Sequence, residues 1–216
     1  LDLRSNPGGR LDVSIDVVDT FLDAGSIIAT RGRHPGSQQA FAASKGDETA
    51  QLPVVILING NSASASEVVA AALQDHGRAV VIGTNSFGKG TVQSVLRLPN
   101  SGEMTLTWSR ILAPSGYRIH ELGVLPTVCT HGGGNLKSVD ALVPAVRDGQ
   151  NVLAGEFGNW QATGNVDTAD RAGLRQICPS DGGSPEVDVA LASAIISDQG
   201  LYASLLRQAE IAVARR

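Results

Sequence analysis

The chain is poor in residues that several classes of protein require. Aromatic residues make up 4 % of its 216 residues, which argues against the stacking surface of a single-strand nucleic-acid binder. Its 17 Lys and Arg residues are outnumbered by 21 Asp and Glu, for a formal net charge of −4. Because these charges are interspersed rather than collected in a basic stripe, we expect no nucleic-acid partner. No apolar run approaches the roughly 20 residues of a membrane-spanning helix.

Cysteine is scarce as well. The chain has two, Cys129 and Cys178, and neither has a neighbouring cysteine or histidine at the spacing of a zinc site. We therefore expect no metal and no cofactor. The first nine residues, LDLRSNPGG, have none of the three regions of a signal peptide, and we expect the chain to begin within a domain.

The residues that are present indicate a folded protein. Hydrophobic residues account for 42 % and charged residues for 18 %, enough apolar content to exclude a disordered chain. The 25 glycines have no period of three, which excludes collagen. At about 150 residues per domain, the length predicts one large domain or one domain with a satellite.

The order of apolar segments predicts an α/β architecture. Residues 53–58, PVVILI, are apolar on both faces, which is typical of a strand in a sheet covered on both sides. Strands that alternate with helices favour the same class. Residues 31–49 are polar and irregular, and we expect a surface loop or flap there. The expected helices span residues 11–22, 68–75, 138–146 and 185–214, the last broken near Gly200, and the expected strands span 26–30, 79–82, 91–98 and 104–111.

Three segments combine a strand with a turn rich in glycine or serine. They are LDLRSNPGG at residues 1–9, VVILINGNSASASEVVAAAL at 54–73 and VVIGTNSFGKGTVQ at 80–93. The ends of strands are where α/β sheets usually bind their ligands. We therefore expect the functional residues to lie in these three turns.

The serines at the start of the second helix allow two interpretations. Ser64 and Glu67 fit a capping box, and serine is a common N-cap residue. The five small residues at 62–66 exceed what one cap requires, and they would let a substrate backbone approach closely. A nucleophilic serine at a helix N-terminus also gains from the helix dipole and from free N–H groups that can bind an oxyanion.

A serine nucleophile needs a base, and none of the four histidines lies in a recognisable triad motif. Lys89, framed by Gly88 and Gly90, is the alternative to a simple solvated charge. A lysine base must be neutral, and lowering its pKa from about 10.4 to roughly 7.5 requires about 4 kcal/mol. We expect burial of Lys89 in the glycine-framed turn to supply this.

The same lysine also ends a match to a phosphate-binding loop, which begins at Gly83 and reads GTNSFGK. Gly90 follows Lys89 where a serine or threonine would bind magnesium, and the next residues favour a strand rather than a helix. Both departures argue against nucleotide binding, because the phosphates would need the N-terminus of a helix.

Taken together, LDLRSNPGG, NGNSASASEVVAAALQDHGRAVVIG and SFGKGTVQ resemble the C-terminal processing (tail-specific) peptidases. These are serine proteases with a Ser–Lys catalytic pair. The resemblance extends over residues 1–130 and includes LTWSRILAPSGYRIHELGVLPTV. It implies an α/β fold with a spiral ββα (ClpP/crotonase-like) protease core at residues 1–130, and a partly helical C-terminal extension at 131–216 that begins with the joint HGGG.

The resemblance also implies a role for individual residues. It implies that Ser64 is the nucleophile that forms an acyl-enzyme, that Lys89 is the general base, and that Gln93 orients the lysine. The oxyanion hole would be formed by backbone N–H groups of Ala65 and of Gly8 or Gly9. Asp75 matches a position important for activity, for which we expect a structural role.

The family further implies substrates, location and a disulfide. Its members cleave protein or peptide substrates that present a C-terminal tail, and they usually carry a PDZ domain, which residues 1–216 lack. Because the family is exported in bacteria, we expect a periplasmic or otherwise exported protein, and a Cys129–Cys178 disulfide rather than two free thiols. Three rival functions stay open: a catalytically silent peptide-binding module, nucleotide binding at residues 83–89, and a crotonase-type acyl-CoA enzyme.

Overall fold

The computed structural model describes residues 1–44, 46–132, 138–164 and 171–214, and shows a mixed α/β fold. The helices are α1 Leu11–Asp19, α2 Ala65–Asp75, α3 Val139–Arg147, α4 Phe157–Gly164, α5 Arg171–Arg175, α6 Pro185–Ser197 and α7 Gln199–Ala214. The strands are β1 Ser26–Arg31, β2 Gln39–Ala42, β3 Val54–Ile58, β4 Ala79–Gly83, β5 Thr91–Arg97, β6 Glu103–Leu112 and β7 Val128–Cys129. The predicted break in the last helix falls at Asp198, two residues before Gly200.

A parallel sheet in the order β3-β4-β7 forms the centre of the molecule. All five residues of β3 and of β4 are buried, as the apolar sequence PVVILI predicts. Successive side chains of a strand point to opposite faces. Ile56 packs with residues of α1 and α2 on one face, whereas Leu57 packs with residues of α3, α6 and α7 on the other.

The first residues of the chain run beside β3 and bring the three turns together. The Leu3 N–H donates to Leu57 O and the Leu57 N–H donates to Leu1 O, both at 2.9 Å. Residues 1–3 therefore run parallel to β3, with an isolated bridge between Asp2 and Leu57. The turns that follow residue 3, β3 and β4 consequently emerge at the same edge of the sheet.

Residues beyond 130 cover the second face of this sheet. Leu142 of α3, Leu191 of α6 and Leu205 of α7 are buried in one cluster with Val55 and Val80 of the sheet. The predicted boundary at residue 130 thus separates two chain segments that share a core. The predicted joint at 131–134 lies partly outside the described residues.

A second, antiparallel sheet has the order β2-β1-β6-β5. The expectation of a loop over residues 31–49 is wrong for β2, which pairs with β1 through Ala40 opposite Ala29. Most side chains of β2 are exposed, and the strand is stabilised by backbone pairing with β1 and by Phe41, which packs against the core. Strand β5 lies at the opposite edge of this sheet and follows the turn that carries Lys89.

Two further features concern the C-terminal half. Cys129 and Cys178 are joined in a disulfide with their Cα atoms 6.0 Å apart, the pairing expected from the family resemblance. Within the described residues, no single helix has the length and apolar content to cross a membrane, and α6 with the first part of α7 meets those limits only as a pair bent by 100°.

Candidate active site

The three sequence motifs meet at one cavity of about 270 Å³. Ser64, Lys89 and Gln93, the three residues predicted to act in catalysis, all line it. The cavity also has Gly9 and Ala65 from the predicted oxyanion hole on its wall. Its full lining is Gly9, Leu11, Ser64, Ala65, Lys89, Thr91, Val92, Gln93 and Ile111.

Ser64 occupies a strained position at the beginning of α2. Its backbone has φ 59° and ψ −117°, a conformation that non-glycine residues rarely adopt and that is often found at functional sites. We call residues 61–67 the nucleophile turn. Its other two serines have structural partners: the Ser62 hydroxyl donates to Leu3 O at 2.7 Å, and the Ser66 hydroxyl to Asn6 O at 3.0 Å.

The buried carboxylate of Glu67 joins the nucleophile turn to residues 84–90, which we call the base turn. It accepts the Ser64 N–H and the Lys89 N–H, each at 2.8 Å. It also accepts the Gly88 N–H at 2.6 Å and the Ser86 hydroxyl at 2.5 Å. Burial raises the pKa of Glu67, and these four hydrogen bonds oppose the rise.

Sequence reasoning assigned Glu67 only to a capping box. Its contact with the Ser64 N–H agrees with that assignment, but its three contacts with the base turn have no signal in the sequence. They depend on the neighbouring positions of β3 and β4, which bring residues about 20 positions apart into contact.

The side chain of Lys89 is exposed, and the expectation that it is buried is wrong. The glycines on either side pack against the segment 119–121 instead. A Cβ at Gly90 would lie 2.3 Å from His120 N, and one at Gly88 would lie 3.2 Å from the Glu121 carbonyl carbon. The backbone of the base turn is therefore packed on one side, while the lysine side chain extends into the open cavity.

The predicted catalytic residues Ser64 and Lys89 are not hydrogen-bonded to each other through their side chains in this structure. Within the described part of the chain, no hydrogen bond or ion pair involves the Lys89 ammonium group, and Gln93 on β5 is exposed as well. Catalytic hydrogen bonds are often long before substrate binds. The structure thus brings the predicted residues to one cavity without the contacts that a proton transfer needs.

The two glycines of the predicted oxyanion hole differ in whether their N–H groups already have an acceptor. The Gly8 N–H is already bonded to Asn6 Oδ1 at 2.9 Å. By contrast, the N–H groups of Gly9 and Ala65 have no acceptor among the residues that the structure describes. Ala65 is the first residue of α2, so its N–H lacks an intrahelical partner.

Position 8 nevertheless requires a glycine, because neighbouring backbone atoms leave no room for a side chain. A Cβ at Gly8 would lie 2.7 Å from Ala65 N and 2.5 Å from Ala63 O, and its φ is +92°. A Cβ at Gly9 would meet nothing within 4 Å. Gly8 therefore allows the backbone of residues 6–9 to approach the nucleophile turn.

A second cavity of about 340 Å³ adjoins the first and shares Gly9 and Ala65 with it. Sequence reasoning did not predict this cavity, because its walls come from residues 1–10, α1 and α2, which meet only in the folded chain. Its lining is mainly apolar and comprises Leu1, Leu3, Asn6, Gly8, Gly9, Arg10, Val13, Ser14, Val17, Ala65, Ser66 and Val69.

The structure argues against a phosphate-binding loop at residues 83–89. The Gly88 and Lys89 N–H groups, which would face a phosphate, both donate to the Glu67 carboxylate. Strand β5 follows the loop, where a phosphate site would have the N-terminus of a helix.

Asp75 lies outside the lining of both cavities, at the C-terminal end of α2. Its carboxylate accepts the Ser115 N–H at 2.9 Å and the Gln161 amide at 3.1 Å. Burial raises the pKa of Asp75. These contacts attach α2 to the loop after β6 and to α4.

Comparison with known proteins agrees with the sequence motifs. The sequence model of peptidase family S41 matches residues 1–130. A carboxy-terminal-processing protease of Bartonella bacilliformis is 46 % identical over 156 residues, 72 % of this chain and 34 % of the relative. A carboxyl-terminal-processing protease of Synechocystis is 40 % identical over 126 residues, 58 % of this chain and 29 % of the relative.

Among solved structures, the photosystem II D1 C-terminal processing protease matches with a TM-score of 0.53 and 33 % identity, over 58 % of this chain and 32 % of that one. A peptidase structure from Parabacteroides merdae, at 20 % identity and a TM-score of 0.50 over 74 % of this chain and 50 % of that one, supports the fold alone. The chain spans about a third of the length of the curated relatives.

Proposed function

Because the chain belongs to peptidase family S41, we propose that it is the catalytic part of a serine endopeptidase that cleaves peptide bonds near the C-termini of protein substrates. The observation that carries this proposal is that Ser64, in a strained turn at the head of a helix, shares a cavity with Lys89 and Gln93. We extend the proposal to the fold and assign the core to the spiral ββα class of ClpP and crotonase.

The proposed reaction uses Lys89 as a neutral amine. Lys89 takes the proton of the Ser64 hydroxyl while Oγ attacks the scissile carbonyl carbon. The C–N bond then breaks, Lys89 gives the proton to the leaving amine, and an acyl-enzyme remains on Ser64. A water molecule, deprotonated by Lys89, attacks the ester, and the Ser64 hydroxyl is restored as the new carboxyl terminus leaves. Gln93 accepts an N–H of Lys89 without adding negative charge.

The negative charge that develops on the carbonyl oxygen needs two donors. We assign the N–H groups of Gly9 and Ala65 to this role because neither has an acceptor within the described residues, whereas the Gly8 N–H is bonded to Asn6. The N-terminus of α2 supports the same charge through its dipole. One such donor typically contributes 10²–10³-fold, about 3–4 kcal/mol.

The second cavity fits the side chain that precedes the scissile bond. It lies next to Gly9 and Ala65, and Val13, Val17 and Val69 are among its apolar lining residues. We therefore expect cleavage after residues with apolar side chains of small or moderate size, and poor cleavage after charged ones.

The test combines covalent labelling with peptide hydrolysis. Wild-type protein incubated with a fluorophosphonate should gain one adduct, which peptide mapping should locate at Ser64. Peptides with an apolar C-terminal tail should be hydrolysed by the wild type and not by Ser64→Ala. An adduct at another residue, or hydrolysis by Ser64→Ala, would contradict the assignment.

The alternative function is a peptide-binding module without catalysis. The observation that favours it is the exposed Lys89 side chain, whose ammonium has no partner among the residues that the structure describes. The same experiments distinguish the two. A silent module would retain apolar-tailed peptides, release no cleavage product and take up no fluorophosphonate.

A further inference from the structure

The base turn is fastened by a helix from the C-terminal segment. Arg175, the last residue of α5, donates from Nη2 to Ser86 O at 2.9 Å and from Nη1 to Leu122 O at 2.6 Å. Its planar guanidinium thus connects two backbone carbonyls in a fixed geometry. A lysine ammonium at this position would be a point donor on a flexible stem and would not reproduce the fork.

The two carbonyls belong to the two segments that pack around Lys89. Ser86 lies in the base turn, and its hydroxyl donates to Glu67. Leu122 lies in the adjoining segment 119–123, in which the Glu121 N–H donates to Gly88 O at 2.8 Å. A change in the spacing of these segments would therefore move the backbone from which the Lys89 side chain extends.

A disulfide holds α5 in this place. Cys178 comes three residues after Arg175, and its partner Cys129 is opposite Gly83 in the register of β4 and β7. The Cys178 sulfur lies 3.7 Å from Gly83 O. Because Gly83 directly precedes the base turn, the disulfide ties the segment after α5 to the point where that turn begins.

Charge and burial also link Arg175 to the catalytic side of the turn. The guanidinium is partly buried, which lowers the pKa of Arg175, and the negative charge of Glu67 opposes that effect. Glu67 is the carboxylate that accepts the N–H groups of Ser64 and Lys89. All of α5 lies beyond residue 130, where the match to the family ends.

We propose that Arg175 is a positioning residue for Lys89, and that the Cys129–Cys178 disulfide keeps Arg175 docked on the base turn, so that reduction of the disulfide lowers peptidase activity. The inference rests on the proposed function for its activity measurement. Its structural part, the ordering of the base turn by Arg175, is measured independently of activity.

The first experiment compares Arg175→Gln and Arg175→Lys with the wild type in peptide hydrolysis well below the melting temperature. Arg175→Gln should lower kcat by about 10–100-fold with KM within about threefold, because the base is displaced while the substrate cavity is intact. The kcat of Arg175→Lys should lie between those of the wild type and Arg175→Gln. Arg147→Gln is the matched control: Arg147 pairs with Asp198 at 2.6 Å on the exposed side of the C-terminal segment, and its loss should leave kcat unchanged. An unchanged kcat in Arg175→Gln would overturn the proposal.

The second experiment tests the disulfide. Dithiothreitol reduces the bond to two thiols and is itself oxidised to its cyclic disulfide, and we expect kcat to fall and to recover on reoxidation. The variant Cys129→Ala/Cys178→Ala should show the same lower kcat without dithiothreitol. The triple variant, with both cysteines replaced by alanine and Arg175 by glutamine, should have a kcat within about twofold of that of Arg175→Gln alone. The reason is that the disulfide and Arg175 are proposed to act through the same contact with the base turn. Losses that multiply would refute the link between disulfide and arginine.

Hydrogen exchange of peptides covering residues 84–92 completes the test. The Gly88 and Lys89 N–H groups are bonded to Glu67, so they should exchange faster in Arg175→Gln and in the reduced protein than in the wild type and Arg147→Gln. This result is expected whether or not the wild type hydrolyses peptides. Unchanged exchange would overturn the proposal, whereas faster exchange in an inactive wild type would contradict only the peptidase function.

Discussion

The nucleophile turn and the base turn meet at one cavity, but their functional side chains are held in different ways. Ser64 sits on a backbone that the hydroxyls of Ser62 and Ser66 fasten to residues 1–6. Lys89 has an equally well-fixed backbone, through Glu67, but an exposed side chain with no partner among the described residues.

The difference shows which part of the site is preorganised. The hydroxyl of Ser64, the proposed nucleophile, has little freedom because a single methylene group joins it to a well-fixed backbone. The ammonium of Lys89, the proposed base, is carried on four methylene groups, so a fixed Cα still allows it many positions. If Lys89 is the base, as we propose, substrate contact or a change at the cavity rim must order its side chain before a proton can move, in line with the tightening of catalytic contacts in complexes.

Replacing Ser64, the proposed nucleophile, should cause the largest loss of kcat. Ser64→Ala should lower kcat by about 10⁴-fold or more, because no acyl-enzyme can form. Its melting temperature should change little, since alanine fits the same backbone. Ser62→Ala and Ser66→Ala should retain much more activity and lose stability instead, because each removes a hydrogen bond to residues 1–6. Similar activity in all three variants would show that the nucleophile lies elsewhere.

Replacing Lys89, the proposed base, should cause the next largest loss of kcat. Lys89→Arg keeps the positive charge but cannot release a proton at ordinary pH, so we expect a loss of about 10³–10⁴-fold in kcat, the upper range for general base catalysis. Because the side chain is exposed, the melting temperature should stay the same. An active arginine variant would exclude Lys89 as the base. Gln93→Ala should have a smaller effect, mainly on kcat.

The two glycines provide a matched pair. Gly8→Ala places a methyl group 2.7 Å from Ala65 N at a φ of +92°, and we expect about a 10²–10³-fold loss of kcat because the oxyanion donor is displaced. Gly9→Ala adds a methyl group with nothing within 4 Å and keeps its N–H, so activity should be nearly unchanged. Equal losses in the two variants would contradict this description of the oxyanion hole.

Loss of the Glu67 carboxylate, which links the nucleophile turn to the base turn, should lower kcat moderately. Glu67→Gln retains the shape of the side chain but replaces one oxygen with an NH₂ group, which cannot accept the N–H groups that this oxygen binds. We expect kcat to fall by about 10–100-fold through displacement of the two turns. Fluorophosphonate labelling of Ser64 should slow by a similar factor, and a normal labelling rate would show that the turns keep their places without the carboxylate.

The smallest effect concerns Asp75 and pH. Burial raises the pKa of Asp75 above the ordinary 3.8, so the folded state binds this proton more tightly than the unfolded state, and stability decreases as pH rises from 3.8 through the raised pKa. The melting temperature of the wild type minus that of Asp75→Asn should therefore fall with pH across this window. Each kcal/mol of stability lost in this way lowers the melting temperature of a chain of this size by about 2–4 °C. A difference that grows with pH would contradict the direction of the shift.

The sequence predicted those features that depend on residue type and spacing within one short segment of the chain. The alternation of apolar strands and helices predicted the central sheet, since a short apolar run such as PVVILI is typical of a strand covered by helices on both faces. The motifs around Ser64 and Lys89 predicted two residues that line one cavity. Strand β2 was missed because it is short, most of its side chains are exposed, and its pairing with β1 is made by the backbone.

By itself, then, the sequence determined the family, the core strands and the candidate nucleophile and base, because these depend on residue type and spacing along the chain. Only the tertiary structure decided the exposure of Lys89, the choice of Gly9 over Gly8 as a free donor, and the contacts of Glu67 and Arg175. Each depends on backbone groups from distant segments that meet at the ends of parallel strands. Backbone N–H and C=O groups are the same in every residue but proline, so their partners leave no trace in the order of side chains.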